Sequence, residues 1–199
     1  MSKKPVIYAM IPARFCSTRL KMKNLALINN KPMISYAIEA AQKSDVFDKI
    51  VLNSENDIFK EIADRHDVSF YHRPADLGSS QAKSDSVVAD FIQSFPEVDI
   101  VAWVNPIAPF QTSDEISEII SYFINQELDS LITVDEKQVH CNFNNEPVNY
   151  SLEGMFEQTQ DLTPVQSFVY SLMIWKTNTF LNAMKHVLDG SIFFFTIAI

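Results

Sequence analysis

The segment Val6–Asn24 reads VIYAMIPARFCSTRLKMKN. Its first six residues, Val6 to Ile11, are apolar and rich in β-branched and aromatic side chains, the composition of a strand buried on both faces. Pro12 has no N–H to give to a ladder, so the strand is expected to end there and the chain to leave the sheet at its carboxyl edge. The loop that follows carries Arg14, Arg19, Lys21 and Lys23, with Ser17, Thr18 and Asn24 as hydrogen-bonding groups among them. Ligands of open α/β sheets sit outside the carboxyl ends of the strands. Four cations delivered to that edge suit a polyphosphate.

The charge distribution agrees. The chain of 199 residues is acidic, with a formal net charge of -9. From Met1 to Ile38, however, there are seven Lys or Arg and no Asp or Glu, whereas the remainder holds nine basic residues against all 25 acidic ones. A basic spot in an acidic field concentrates a small anion locally and repels a long polyanion elsewhere. A nucleic-acid-binding module is therefore disfavoured. A solvated basic tail accounts for Lys3 and Lys4, but not for Arg14 to Lys23, which follow a buried strand directly.

Outward from this segment, apolar runs alternate with amphipathic ones. Asn29-Asn30 makes a turn, and Lys31-Pro32 opens a helix that buries Met33, Ile34, Ala37, Ile38 and Ala41. Lys49 to Asn53 is a second buried strand, ending in Ser54-Glu55-Asn56-Asp57; a helix with Ile58, Phe59, Ile62 and Ala63 inward follows. Val68 to Tyr71 is a short strand, and His72 to Gln81 a polar loop. A helix is predicted over Ser84 to Ser94, and a central strand over Asp99 to Val104. Two prolines hold Asn105 to Gln111 extended. Thr112-x-x-Glu115 forms a capping box for the next helix, and Leu131 to Val134 is a further strand. The rhythm predicts an α/β fold with a mostly parallel sheet covered by helices on both faces.

Regularity stops at Asp135. From there to Gln166 the chain is polar and aperiodic, as in long loops that carry function or meet another chain. Ser167 to Trp175 reads as a strand, Asn178 to Leu188 as a helix, and Ile192 to Ile199 as a last apolar strand. The length fits one domain, 1–199, with 135–166 as an excursion. No signal peptide is expected before the first strand, and the longest apolar run is too short to span a bilayer. With two cysteines, Cys16 and Cys141, the expectation is a reduced, cytoplasmic protein away from membranes.

Three glycines, Gly78, Gly154 and Gly190, exclude a Walker A loop and a G-x-G-x-x-G fingerprint. Any phosphate cradle must use side-chain cations and backbone amides. His66, His72, His140 and Cys141 lack metal-ligand spacing. Glu55, Asp57, Asp135 and Glu136 follow expected strand ends and are metal-ligand candidates, although such acidic residues are most often solvated. Trp103 and Trp175 fall in strands, in or near the core. Cys16 sits beside Arg14 and Arg19, but a small residue in a tight loop is a simpler role than a nucleophile.

The motif I-P-A-R-x-x-S-T-R-L-x-x-K-N at Ile11 to Asn24 resembles the opening signature of the CMP-sugar synthetases, the cytidylyltransferases that activate sialic acids and 3-deoxy-octulosonate. N-x-K-P-M-I at Asn29 to Ile34, S-E-N-D at Ser54 to Asp57, R-P-A-D-L at Arg73 to Leu77 and V-N-P-I-A-P-F-Q at Val104 to Gln111 agree in order and spacing. The likeness is specific over Val6 to Val134 and leans towards the sialic acid branch. It implies a Rossmann-like fold of the nucleotide-diphospho-sugar transferase type, with a protruding dimerisation arm that would be 135–166. It also implies CTP and a 2-keto-3-deoxy sugar acid as substrates, Mg²⁺ as cofactor, and a homodimer.

By this resemblance Arg14 and Lys23 are the catalytic cations on the triphosphate. Ala13, Ser17, Asn24, Arg73, Ala82 and Ser84 join them around the nucleotide, and Asn105, Gln111 and Gln166 meet the sugar. Several departures stand against a full match. Phe15 and Cys16 replace small residues, and Pro106 to Gln111 lacks two hydroxyls and an arginine of the family's P-T-S-P-L-R. Val169-Tyr170-Ser171-Leu172 lacks the arginine of R-P-N-G. The D-x-D pair that holds Mg²⁺ would lie beyond Ile199, so the metal ligands are unknown. A chain cut short and a catalytically degenerate, nucleotide- or sugar-binding relative are both open readings, as is a nucleotidyltransferase for another sugar.

Overall fold

The computed structural model describes residues 4–16, 20 and 22–183, together with the backbone of 192–196. Seven strands form one sheet: β1 (Ile7–Pro12), β2 (Lys49–Ser54), β3 (Ser69–His72), β4 (Ile100–Val104), β5 (Ser130–Lys137), β6 (Val165–Lys176) and β7 (Ile192–Thr196). Their order is β7-β5-β6-β4-β1-β2-β3. β1 pairs in parallel with β2 and β4, β2 with β3, and β5 with β7. β6 alone runs against its neighbours, β4 and β5. The fold is thus mixed α/β, with six strands pointing their carboxyl ends at one edge.

Both faces of the sheet are apolar because each strand is. In β1, Ile7, Ala9 and Ile11 face one side, where they join Ile34 and Ile38 of α1 (Met33–Ser44), Phe59 of α2 (Ile58–Arg65) and Ile116 and Phe123 of α4 (Ser113–Asn125). Tyr8 and Met10 face the other, against Val88 and Phe91 of α3 (Ser84–Ser94) and Phe180 of α5 (Thr177–Ala183). A period of two with apolar residues on both sides is what a doubly covered strand requires.

Most element boundaries lie within two residues of the sequence expectation. Ser84–Ser94 matches, and Thr112 caps α4 through a complete box with Glu115. Asn29 and Asn30, at φ 50° and 62°, turn the short ribbon of Leu27–Ile28 and Lys31–Pro32. The expected helix over Asn178 to Leu188 is described only as far as Ala183, and the strand expected over Ile192 to Ile199 as far as Thr196. The break expected after Val134 is a correction. β5 continues to Lys137 because β6 pairs with it, Asp135 opposite Ser167 and Glu136 opposite Gln166. The excursion therefore spans 138–164, leaving from and returning to the carboxyl edge of β5. It contains a small hairpin, Asn142–Phe143 with Glu146–Pro147, turned by Asn144 and Asn145 at positive φ.

Candidate active site

The carboxyl ends of β1, β3 and β4 and the start of α3 surround a cleft of about 310 Å³. Its walls include Ala13, Arg14, Lys23, Asn24, Arg73, Ala82, Ser84 and Asn105. These eight residues come from five separated sequence segments and were all expected at a nucleotide or sugar site. The structure brings them together. Ser17 lies outside the described residues. Gln111 and Gln166 are not among the lining residues. Gln111 Nε2 instead donates to Ser171 Oγ at 3.2 Å, and Gln166 is exposed on the β5–β6 extension, donating to Glu136 Oε1 at 2.9 Å.

The elbow after β1 is fixed through its backbone. Ala13 N–H continues the parallel ladder by donating to Asn53 O at 2.9 Å. Phe15 N–H donates to Glu55 Oε1 at 2.8 Å. Arg73, buried to 3% exposure, donates to Ala13 O at 3.0 Å, Asn53 Oδ1 at 3.3 Å and Glu55 Oε2 at 2.7 Å. Burial pushes the Arg73 guanidinium below its ordinary pKa, and Glu55 opposes that shift. Arg14 is half-buried at the cleft, and no carboxylate pairs with it among the described residues. An arginine in that state is a fork ready for an anion.

The opposite wall is arranged for hydrogen bonding. Lys23 opens a single 3-10 turn, Lys23–Leu25, behind Met22 at φ 50°. Asn24 is buried, with Nδ2 donating to Arg14 O at 3.4 Å and Oδ1 left without a partner. α3 begins at Ser84 with no side-chain cap, and its first turn lines the cleft through Ser84 and Val87. Asn105 is held on three sides: its Nδ2 donates to Tyr170 O at 3.0 Å, its backbone N–H to Ser171 O at 3.0 Å, and its Oδ1 accepts from Ile107 N–H at 3.3 Å. Tyr170 sits at φ 57° in the irregular stretch of β6 where the register with β5 shifts between Phe168 and Met173. A bulky residue at positive φ is strained, and the bulge re-aims the carbonyl that holds Asn105.

Leu77, Ser79, Val87 and Ile107 also line the cleft and were not among the expected site residues, although Leu77 and Ile107 fall within the matched motifs. Trp103, expected in or near the core, is half-buried and lines it too. The carboxylates considered for a metal are otherwise engaged. Glu55 binds Arg73, Asp57 meets His72 at 2.9 Å, and Asp135 meets Lys137 at 3.1 Å. Asp135 and Glu136 also lie within β5 rather than after it. Mg²⁺ takes several oxygen ligands, and no cluster of three or more His, Cys, Asp or Glu able to hold a metal occurs among the described residues. These residues do not fit a magnesium site.

A sheet of this order, with a cation-bearing elbow after its first strand, is a nucleotidyltransferase fold. A solved CMP:2-keto-3-deoxy-manno-octonic acid synthetase complexed with CTP superposes with a TM-score of 0.73 at 13% identity, over 98% of this chain and 90% of that one. The chain belongs to the cytidylyltransferase family, which it matches over residues 8–167. It is 30% identical over 117 residues to an N-acylneuraminate cytidylyltransferase of Escherichia coli, a match covering 59% of this chain and 28% of that protein. To a pseudaminic acid cytidylyltransferase of Campylobacter jejuni it is 29% identical over 165 residues, covering 77% of this chain and 71% of that protein. The chain spans about a third or less of the N-acylneuraminate relatives it matches, 28% in one and 33% in another.

Proposed function

We propose that this chain transfers CMP from CTP to a 2-keto-3-deoxy sugar acid, of the sialic acid or related nonulosonate class, and releases pyrophosphate. The observation that carries the reading is the convergence of Arg14, Lys23, Asn24, Arg73, Ala82, Ser84 and Asn105 on one cleft at the carboxyl edge of the sheet. The named activities of the relatives point the same way.

In this reaction the anomeric hydroxyl oxygen of the acid attacks the α-phosphorus. The bond from that phosphorus to the bridging oxygen breaks, pyrophosphate leaves with the electron pair, and the hydroxyl proton is lost to solvent. The protein's part is positioning and charge neutralisation. Arg14 holds phosphate oxygens with a planar fork, and Lys23 adds a point charge as negative charge gathers on the leaving group. Asn24 and the first amides of α3 supply further hydrogen bonds, and Asn105 faces the acceptor. Mg²⁺ belongs to this reading only through the family's use of CTP, since the described residues offer it no site.

The test is pyrophosphate release from CTP and Mg²⁺ with N-acetylneuraminate, pseudaminate and 3-deoxy-octulosonate as acceptors. Release with one acid is expected; none with any acid, from protein that is folded, overturns the reading. A second reading, a relative that binds nucleotide without turnover, is favoured by the engaged carboxylates. Calorimetry showing CTP binding without pyrophosphate release would select it.

The working unit is proposed to be a homodimer joined through the 138–164 excursion. Phe143, Leu152, Met155 and Phe156 there are 71%, 73%, 93% and 69% exposed. So many large apolar side chains on one projecting segment mark a contact surface.

A further inference from the structure

Two segments far apart in sequence, the elbow and residues 73–78, converge on one carboxylate, that of Glu55. Phe15 N–H, in the elbow, donates to its Oε1 at 2.8 Å. Arg73, after β3, donates to its Oε2 at 2.7 Å and, with the same nitrogen, to Ala13 O at 3.0 Å. The turn Ala75–Gly78 closes over the side chain so tightly that a Cβ on Gly78 would lie 2.4 Å from Glu55 Cγ and Cδ. The Glu55 side chain keeps only 13% of its surface exposed, and that of Arg73 only 4%. On the other side, Asn24 Nδ2 reaches Arg14 O at 3.4 Å. Three successive residues of the elbow are thus held through Ala13 O, Arg14 O and Phe15 N–H.

We propose that Glu55 is a positioning residue for the anion-binding elbow, fixing the Ala13–Phe15 backbone in its binding shape through one buried carboxylate shared with Arg73. The anion is the triphosphate only if the nucleotide reading above holds. Two physical consequences follow from the arrangement. An elbow held before the ligand arrives loses less conformational freedom on binding. Glu55 also lies against Arg73, which lines a cleft meant for an anion, and a bare carboxylate so near would weaken that cleft's positive field. Arg73 takes up that charge, so Arg14 remains available. The missing Cβ at position 78 makes room for the carboxylate. The backbone there does not require glycine, since its φ is not positive.

Gly78→Ala is the decisive variant. It removes no hydrogen-bonding group, but its methyl occupies the place of the Glu55 side chain, so the carboxylate must swing off Phe15 and Arg73. Glu55→Gln is the companion: it preserves shape and an acceptor but removes the charge opposite Arg73. Where that substitution unfolds the chain, the double variant Glu55→Gln with Arg73→Gln removes both charges together. Amide hydrogen exchange at Phe15, measured without ligand, and calorimetric titration with CTP are compared with wild type.

Faster Phe15 exchange and CTP affinity weakened by about twofold to tenfold, the scale of having to order one further group on binding, are expected. Conversely, Gly78→Ala with unchanged Phe15 exchange overturns the proposal. So does a variant whose melting temperature falls while Phe15 exchange and CTP affinity stay as in wild type, because that is what a purely stabilising contact would give. Wild-type protein that binds no CTP overturns the nucleotide reading instead, and the ligand-free exchange comparison then decides the elbow by itself.

Discussion

Under the proposed function Arg14 and Lys23 do the same job in different ways, and their variants should differ accordingly. Arg14→Ala removes a bidentate fork next to the elbow; Lys23→Ala removes a point charge. Loss of one donor to developing charge costs roughly tenfold to a thousandfold in turnover. Steady-state pyrophosphate release should show both variants in that range, and Arg14→Lys, which keeps charge but not the fork, should not restore the wild-type rate. Both variants at wild-type rates would mean that the phosphates bind elsewhere. That both cations reach the cleft was legible in the sequence, because their loop follows a buried strand that ends at a proline. The use of Glu55 was not, since the elbow, the end of β2 and residues 73–78 must fold together before a carboxylate that reads as a solvated strand-end residue becomes a buried brace.

A second residue-scale prediction concerns pH. Burial and then its hydrogen bond to Glu97 at 2.7 Å push the Tyr8 phenol up from 10.0 to about 12, while that same bond holds the Glu97 carboxyl below its ordinary value. A raised folded pKa means that the neutral phenol contributes stability in full below pH 10.0 and loses that contribution as pH rises towards about 12. Phenolate absorbance should therefore show one tyrosine titrating near 12, with stability falling across the same interval. In Glu97→Gln its midpoint should move down.

Among the elements, α4 offers the simplest check. Thr112 Oγ1 accepts from Glu115 N–H at 3.2 Å, and Glu115 Oε2 accepts from Thr112 N–H at 2.7 Å. Two otherwise orphaned amides are satisfied reciprocally, and the four-residue pattern that does this is visible in the sequence. Thr112→Ala should cost about 0.5–2 kcal/mol in urea unfolding with an unchanged m-value, whereas Thr112→Ser should cost less. The β5–β6 pair shows the limit of such local reading. Asp135, Glu136 and Lys137 are polar and end an apolar run, so nothing within them signals a strand. They are extended because Val165 to Ser167 supply a ladder from about thirty positions further on. The strained Tyr170 is similar. Its positive φ arises from a register shift between two strands, a property of the pair and not of either segment.

At the scale of the molecule, the alternation of strands and helices was enough to foresee the doubly covered sheet, because each strand is apolar on both sides and each helix on one. It could not give the strand order, in which the late strand β6 inserts between β4 and β5. That insertion makes the 138–164 excursion leave and re-enter at the same edge as the cleft, as a ribbon with Met155 93% and Leu152 73% exposed. Inside the ribbon, Phe156 stacks on His140 with ring centroids 4.2 Å apart and Tyr150 closes on both, so the segment has a small packed centre of its own. Leu152 and Met155 stand outside that centre and can be changed without emptying it. Light scattering on a sizing column should give twice the mass of the chain for wild type and the single mass for Leu152→Asp with Met155→Asp. Circular dichroism should be unchanged, because neither side chain belongs to the sheet's two cores. A wild-type monomer, or a double variant that remains a dimer, would remove the ribbon from the interface. If the dimer also completes the acceptor side of the cleft, the double variant should raise the KM for the sugar acid while leaving CTP affinity intact, since the nucleotide wall is built within one chain.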